Sequence, residues 1–350
     1  MKILVARLRL IGDVVFTTPL LRALRRHYPA AEITYLVESP AAPVVRGNPH
    51  ISELIVVPHR RGVRRIADDI ALAIRLRRTR FDLALDLHGG PRSAWLTWAS
   101  GAPRRIGYTI KGRAWMYTDA IPRSPDLAPR HSVVNQWDLL APLGIAAPTL
   151  EHDAVEMPED AAAAARVDRR LADAGLSLHP LIVMHVSAGN PFRRWPPGAF
   201  ETVIEQLVRR DPRRRVVVTS GPSDAEASHR IAAAARRRLG ALAPGVAEIG
   251  EFDLAELRSL VARAAVYIGG DSGPMHIAAT TRTPIIALLG PTLPERSMPW
   301  RSPAHFAEAI DVGPLPCRPC HQRHCAPGDF RCLTGITPER VIEAAERAIT

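Results

Sequence analysis

The feature that most constrains this chain is a repeated alternation. Short β-rich apolar runs at Ile3–Ala6, Ile33–Val37, Leu54–Val57 and Leu83–Leu87 are separated by longer amphipathic stretches. The same pattern returns at Leu181–His185, Arg215–Thr219, Val266–Ile268 and Ile285–Leu288. Runs this short and apolar, joined by segments with three- and four-residue apolar spacing, predict parallel strands connected by crossover helices. Helices are expected over 19–26, 160–174, 200–210, 225–239, 254–264 and 338–349. The fifth to last of these expectations includes a stop at Gly175, a glycine suited to a helix C-terminus.

Two series in 350 residues predict two domains, 1–160 and 161–350, each a doubly wound, Rossmann-like α/β unit. Ligands of such sheets sit beyond the carboxyl ends of the strands, so two units facing across a cleft would point their strand-end loops at one site.

Composition narrows the function. Hydrophobic residues make up 47% and charged residues 23%, as in a folded globular chain. No run of about 18 apolar residues is present and the N-terminal apolar run is too short for a signal peptide, which predicts a cytoplasmic protein, at most peripheral to the inner membrane. The net charge of +11 suits anionic lipid, nucleic acid or phosphorylated substrates alike. Aromatics at 5% and the lack of a nucleic-acid motif argue against nucleic acid; a non-catalytic module on anionic lipid or nucleic acid is the rival from another class.

The first strand runs into Arg7-Leu-Arg-Leu-Ile-Gly12-Asp13, a glycine and a carboxylate at a strand-to-helix turn. Neither a Gly-x-Gly-x-x-Gly fingerprint nor a Walker loop is present. By position alone Asp13 reads first as a helix cap. In the second series, Gly270-Asp271-Ser272-Gly273-Pro-Met275-His276 follows a strand and opens a helix whose free amides suit an anion. His276 also fits a satisfied histidine under that helix, and Ser223 or Asp224 fits a cap.

Together with Asp86-Leu-His-Gly-Gly-Pro-Arg-Ser93, the stretch 131–144, Val186-Ser-Ala-Gly-Asn-Pro-Phe-Arg-Arg-Trp-Pro196 and Pro284–Thr292, these segments resemble the heptosyltransferases of lipopolysaccharide inner-core synthesis. The resemblance covers nearly the whole chain. It implies the GT-B fold and inverting transfer of heptose from ADP-heptose to an inner-core sugar hydroxyl of an anionic lipopolysaccharide precursor. No cofactor is implied for catalysis. Another sugar nucleotide, or a protein acceptor, is the nearer rival.

Residue by residue, the resemblance puts the base on Asp13. It puts donor contacts on Arg193, Arg194, Glu226, Asp271, Ser272, Gly273, Met275 and His276, with arginine at 193 and 194 where the family often has lysine. Acceptor contacts fall on Gly12, Thr17, Arg60, Arg61, Arg92, Lys111 and Arg113, part of a basic rim that also includes Arg104 and Arg105 and that reads equally as a solvated charged face.

All four cysteines, Cys317, Cys320, Cys325 and Cys332, fall in one segment. Their spacing suits a structural zinc or iron site, with His321 and His324 as spare ligands, against the alternative of free thiols. The segment is expected to lie away from the donor motifs.

Overall fold

A computed structural model of the chain describes residues 1–60 and 62–350. It divides into two compact units, Met1–Pro158 and Glu159–Thr350.

The first unit carries strands β1 (Lys2–Ala6), β2 (Glu32–Glu38), β3 (Glu53–Val57), β4 (Leu83–Asp86), β5 (Arg104–Tyr108) and β6 (Asp119–Ile121). They form one parallel sheet in the order β3-β2-β1-β4-β5-β6. β1 is central, and Ile3, Leu4, Val5 and Ala6 are fully buried because helices cover both faces. The register pairs Val5 with Tyr35 on one side and with Leu85 on the other.

The second unit carries β7 (Leu181–His185), β8 (Arg215–Thr219), β9 (Val246–Ala247), β10 (Val266–Gly270), β11 (Ile285–Leu288) and β12 (Ala307–Ile310), again all parallel, in the order β12-β11-β10-β7-β8-β9. The C-terminal helix Pro338–Ile349 packs back on this unit. Val341, Ile342, Ala344 and Ala345 join the cluster built on Ile182, Phe200 and Ile268.

Four strands escaped the sequence pattern: β5, β6, β9 and β12. They lie at or next to sheet edges, where one side is not enclosed and a continuous apolar run is not required. The longest helices missed are Val63–Thr79 and Pro91–Ala99. Arg64 and Arg65 therefore stand on a helix rather than in a loop. Arg104 and Arg105 are used for structure: Arg104 reaches Asp119 and the Pro142 carbonyl, and Arg105 reaches the Met116 and Ala102 carbonyls. Among the described residues no helix is long and apolar enough to cross a membrane.

Candidate active site

Each sheet reverses its strand order once, between β1 and β4 in the first unit and between β7 and β10 in the second. A crevice opens beyond the strand ends at such a reversal. The motifs singled out in the sequence fall on these two places.

In the first unit, β1 gives way to Arg7, a buried residue whose guanidinium donates to the Leu87 carbonyl and pairs with the Asp13 carboxylate. Asp13 sits inside the short helix Ile11–Val15, whose N-cap is Leu10. It is therefore not the cap that the sequence allowed. Its side chain keeps 29% exposure, so one face is held by Arg7 while the carboxylate stays open to a ligand. Gly12 shares this turn. Thr17 does not reach the surface: it is fully buried, donates to the Val14 carbonyl at 2.7 Å and meets the Tyr35 hydroxyl at 2.7 Å. Its place is in the packing beneath the site.

Across the reversal, Asp86 ends β4 with a saturated, fully buried carboxylate. It accepts from the His88 and Gly89 amides, both at 2.9 Å, from Ser93 Oγ at 3.0 Å and from the Tyr117 hydroxyl at 2.6 Å. This fixes the loop that presents His88. Burial and the nearby positive charge of Arg7 push the His88 imidazole below its ordinary pKa, leaving a neutral ring beside the Arg7–Asp13 pair. The sequence motif contained His88, but nothing in it distinguished this side chain from its neighbours.

A cavity of about 340 Å³ opens here, lined in part by Arg9, His59, Arg60, Arg65, His88 and Arg92. Arg92 is not a free cation. Its guanidinium meets Glu38 at 2.7 Å and Asp69 at 2.5 Å, with side-chain exposures of 8–12% for all three. Arg60 is largely exposed and lies 3.4 Å from Asp68. Lys111 and Arg113 follow β5 in a turn outside this lining. Arg61 lies outside the described residues.

In the second unit the loop after β7 crosses over β10. A Cβ on Gly270 would stand 3.2 Å from the Arg193 carbonyl, so glycine permits the crossing. The crossing brings Arg193 Nη1 to 2.9 Å from Asp271 Oδ2. Asp271 is buried, accepts from Ser297 Oγ at 2.5 Å and lies 3.6 Å from His276 Nε2. Burial alone would raise the Asp271 carboxyl, but the hydrogen bond from His276, the charge of Arg193 and the bond from Ser297 outweigh it. The group is held well below the usual carboxylate range.

Arg194 turns the other way, to the Ala188 carbonyl at 3.0 Å and to Asp224 at 2.9 Å. Asp224 thereby spends its carboxylate on Arg194 rather than on capping a helix. Glu226 points outward and pairs with Arg230 one turn along its own helix. Met275 is fully buried core. Ser272 precedes the helix Gly273–Ala278 without turning its hydroxyl to that helix's amides.

A second cavity of this unit, about 260 Å³, lies at the ends of β8 and β9 among Thr219, Ser220, Ser228, His229, Glu248 and Phe252. Sequence reasoning missed it because β9 has only two residues, too few for any period to register.

The four cysteines are free thiols lining one cavity with His324, Phe192 and Phe330. Burial, and then the neighbouring thiols, push the Cys332 thiol above its ordinary pKa. Among the described residues no group of three or more His, Cys, Asp or Glu side chains is arranged to hold a metal ion. The expectation that this segment lies apart from the donor motifs is wrong. Gln322 Oε1 accepts from Arg193 Nε at 2.6 Å and from Asn190 Nδ2 at 3.1 Å, while its Nε2 donates to Thr292 Oγ1 at 3.1 Å. Phe192 also packs on Phe330, with ring centroids 5.6 Å apart.

Two parallel α/β units, each with its charged cluster at the point of strand reversal, are the architecture of the GT-B fold. The model of glycosyltransferase family 9 (heptosyltransferase) matches residues 70–329, and the chain belongs to that family. Lipopolysaccharide heptosyltransferase 2 of Salmonella typhimurium is 29% identical over 348 residues, covering 98% of this chain and 97% of the relative. The family 9 glycosyltransferase of Veillonella parvula superposes with a TM-score of 0.82 at 25% identity, covering 99% of this chain and 97% of that one. The ADP-heptose lipopolysaccharide heptosyltransferase II of E. coli superposes with a TM-score of 0.78 at 24% identity, covering 100% and 98%. Family membership favours the enzymatic reading over a non-catalytic lipid module.

Proposed function

We propose that this chain transfers heptose from ADP-heptose to a sugar hydroxyl of the lipopolysaccharide inner core, with inversion, using Asp13 as general base. The observation that carries the reading is the placement of Asp13. It is a partly open carboxylate at the β1/β4 reversal, fixed by a buried arginine and set near a cavity with several cations. An acceptor hydroxyl becomes nucleophilic as a carboxylate takes its proton during attack on the anomeric carbon. The 1–160 part holds the acceptor in this reading, through Gly12, Arg60 and the rim that includes Lys111 and Arg113. Arg92 and Thr17 hold the walls.

The 161–350 part holds the donor. The leaving diphosphate gathers charge, which fixed cations and N–H dipoles stabilise best. Arg193 and Arg194, with the Ser272 and Gly273 amides, supply these, and Asp271 and His276 hold the loop behind them. Glu226, exposed at the start of its helix, is the carboxylate for ribose hydroxyls in this assignment, and Met275 supports the loop from the core. A structural zinc or iron ion, with no part in the transfer step, would need the four thiols that share one cavity to draw together around it.

The test is product mass analysis after incubation with a core acceptor and a panel of nucleotide sugars. An added heptose from ADP-heptose alone is expected, and ADP is expected to stabilise the protein thermally more than UDP or GDP. Transfer from a UDP-sugar, or onto a protein but not the core, would favour the rival within the same fold.

A further inference from the structure

The helix Val63–Thr79 does not bury all its apolar side chains. Leu72, Ala73 and Leu76 turn inward with Leu96 and Phe81. Ile66, Ile70 and Ile74 do not: they remain 60%, 50% and 49% exposed. Their four-residue spacing places them on one face, and the exposed Ala67 and Ala71 widen the same strip. Three isoleucines aligned on one surface helix form a contiguous patch, unlike the scattered exposed apolar residues of an ordinary surface.

The charges on this helix are mostly positive, although Arg75 pairs with Glu53 at 2.6 Å and Arg65 lies 3.6 Å from Asp69. Arg64, Arg65, Arg75, Arg77 and Arg78 are exposed on the same helix. Its two acids turn elsewhere, Asp69 into the buried cluster with Arg92 and Asp68 toward Arg60. An apolar strip on a helix with five exposed arginines and two acids is the composition of a helix that lies in a bilayer interface, apolar face down, with arginines among anionic headgroups. The helix has 17 residues, about 25 Å at 1.5 Å per residue, enough to lie along a surface and too short and charged to cross one.

We infer that the face carrying Ile66, Ile70 and Ile74 docks this enzyme on a bilayer bearing anionic headgroups, which rests on the reading of its acceptor as a glycolipid. The first turn of the helix gives the connection to chemistry. Arg65, on the side of the helix turned from the strip, lines the same cavity as Arg60 and His88, so docking holds that cavity about one helix diameter from the membrane surface. An acceptor sugar anchored in the bilayer then enters without leaving its lipid.

The test uses the full chain and the variant I66S/I70S/I74S, at positions whose exposure makes the fold insensitive to the change. Flotation with vesicles of phosphatidylethanolamine and phosphatidylglycerol should recover wild type. Recovery should fall in pure phosphatidylcholine and at high salt, and the variant should bind roughly tenfold or more weakly. The variant should keep its melting temperature and its rate on a deacylated, water-soluble acceptor, yet lose rate on acceptor embedded in vesicles. Equal vesicle binding by variant and wild type would overturn the proposal. So would a wild-type dimer in solution that the variant makes monomeric, since a second copy would then cover the face. Lack of transfer to either acceptor with vesicle binding intact would instead overturn the function proposed above and leave the docking face standing.

Discussion

The Oε1 atom of Gln322 stands 2.6 Å from Nε of Arg193, tying the cysteine-bearing segment to the arginine assigned to the donor. Arg193 has a long, flexible side chain, and ordering it costs rotamer entropy unless something holds it beforehand. In the proposed function Gln322 is therefore a positioning residue for Arg193. Gln322→Ala should weaken ADP binding by about fivefold, the scale of one net hydrogen bond. Arg193→Ala should weaken it more, by at least about tenfold. Titration calorimetry on the double variant is the decisive measurement. If Gln322 works through Arg193, adding Gln322→Ala to Arg193→Ala costs nothing further; additive losses would give Gln322 a separate role.

Asp271 is buried between Arg193, His276 and Ser297, so its neutral replacement leaves charge without its partner. Asp271→Asn should destabilise by ~3–5 kcal/mol, a melting point lower by on the order of 10 °C at neutral pH. Its folded pKa lies below the ordinary value of 3.8, so the contribution is fully present above that value and is lost as pH falls through the folded one. The melting gap between wild type and variant should stay constant from about pH 7 to 5, begin to narrow below about pH 4 and close only as pH falls through the folded value. A gap independent of pH would show that the carboxylate's charge is not what stabilises.

Asp13→Asn should lower the transfer rate by roughly 10²–10⁴-fold, the usual contribution of a general base. Arg7 keeps its bond to the Leu87 carbonyl but loses its counter-charge, so a modest fall in melting temperature is also expected. ADP affinity should hold within about twofold, because the donor is assigned to the other unit. A variant that keeps more than about a third of the wild-type rate, with chemistry limiting, would remove Asp13 from the mechanism.

Among the thiols, Cys332 should alkylate slowest in chelator-treated protein, since the thiolate is the reacting species and this thiol is the one pushed up. Mass spectrometry of a timed iodoacetamide reaction gives the order. Protein purified without chelator should contain about one zinc or iron per chain by elemental analysis and resist alkylation at all four positions. No metal, together with four fast thiols, would leave an ordinary loop. Because Phe330 packs on Phe192 and Gln322 holds Arg193, alkylation should also weaken ADP binding.

What the sequence determined by itself was the part of the molecule written in local periods. The central strands β1, β2, β4, β7, β8, β10 and β11 are enclosed on both faces, so each must be a continuous apolar run, and each was read within a residue or two. The Gly12-Asp13 and Asp271–His276 turns were legible because small and acidic residues stand where a strand must become a helix. What only the tertiary structure decided was which side chains of those turns are spent on the protein itself. Whether Arg92 meets a ligand or Glu38 and Asp69, whether Asp224 caps a helix or holds Arg194, and whether Gln322 is loop or support for Arg193 depend on partners 23 to 129 residues away. β5, β6, β9, β12 and the exposed face of Val63–Thr79 were hidden for a related reason. Burial is set by what the rest of the chain places alongside, and no local pattern carries that information.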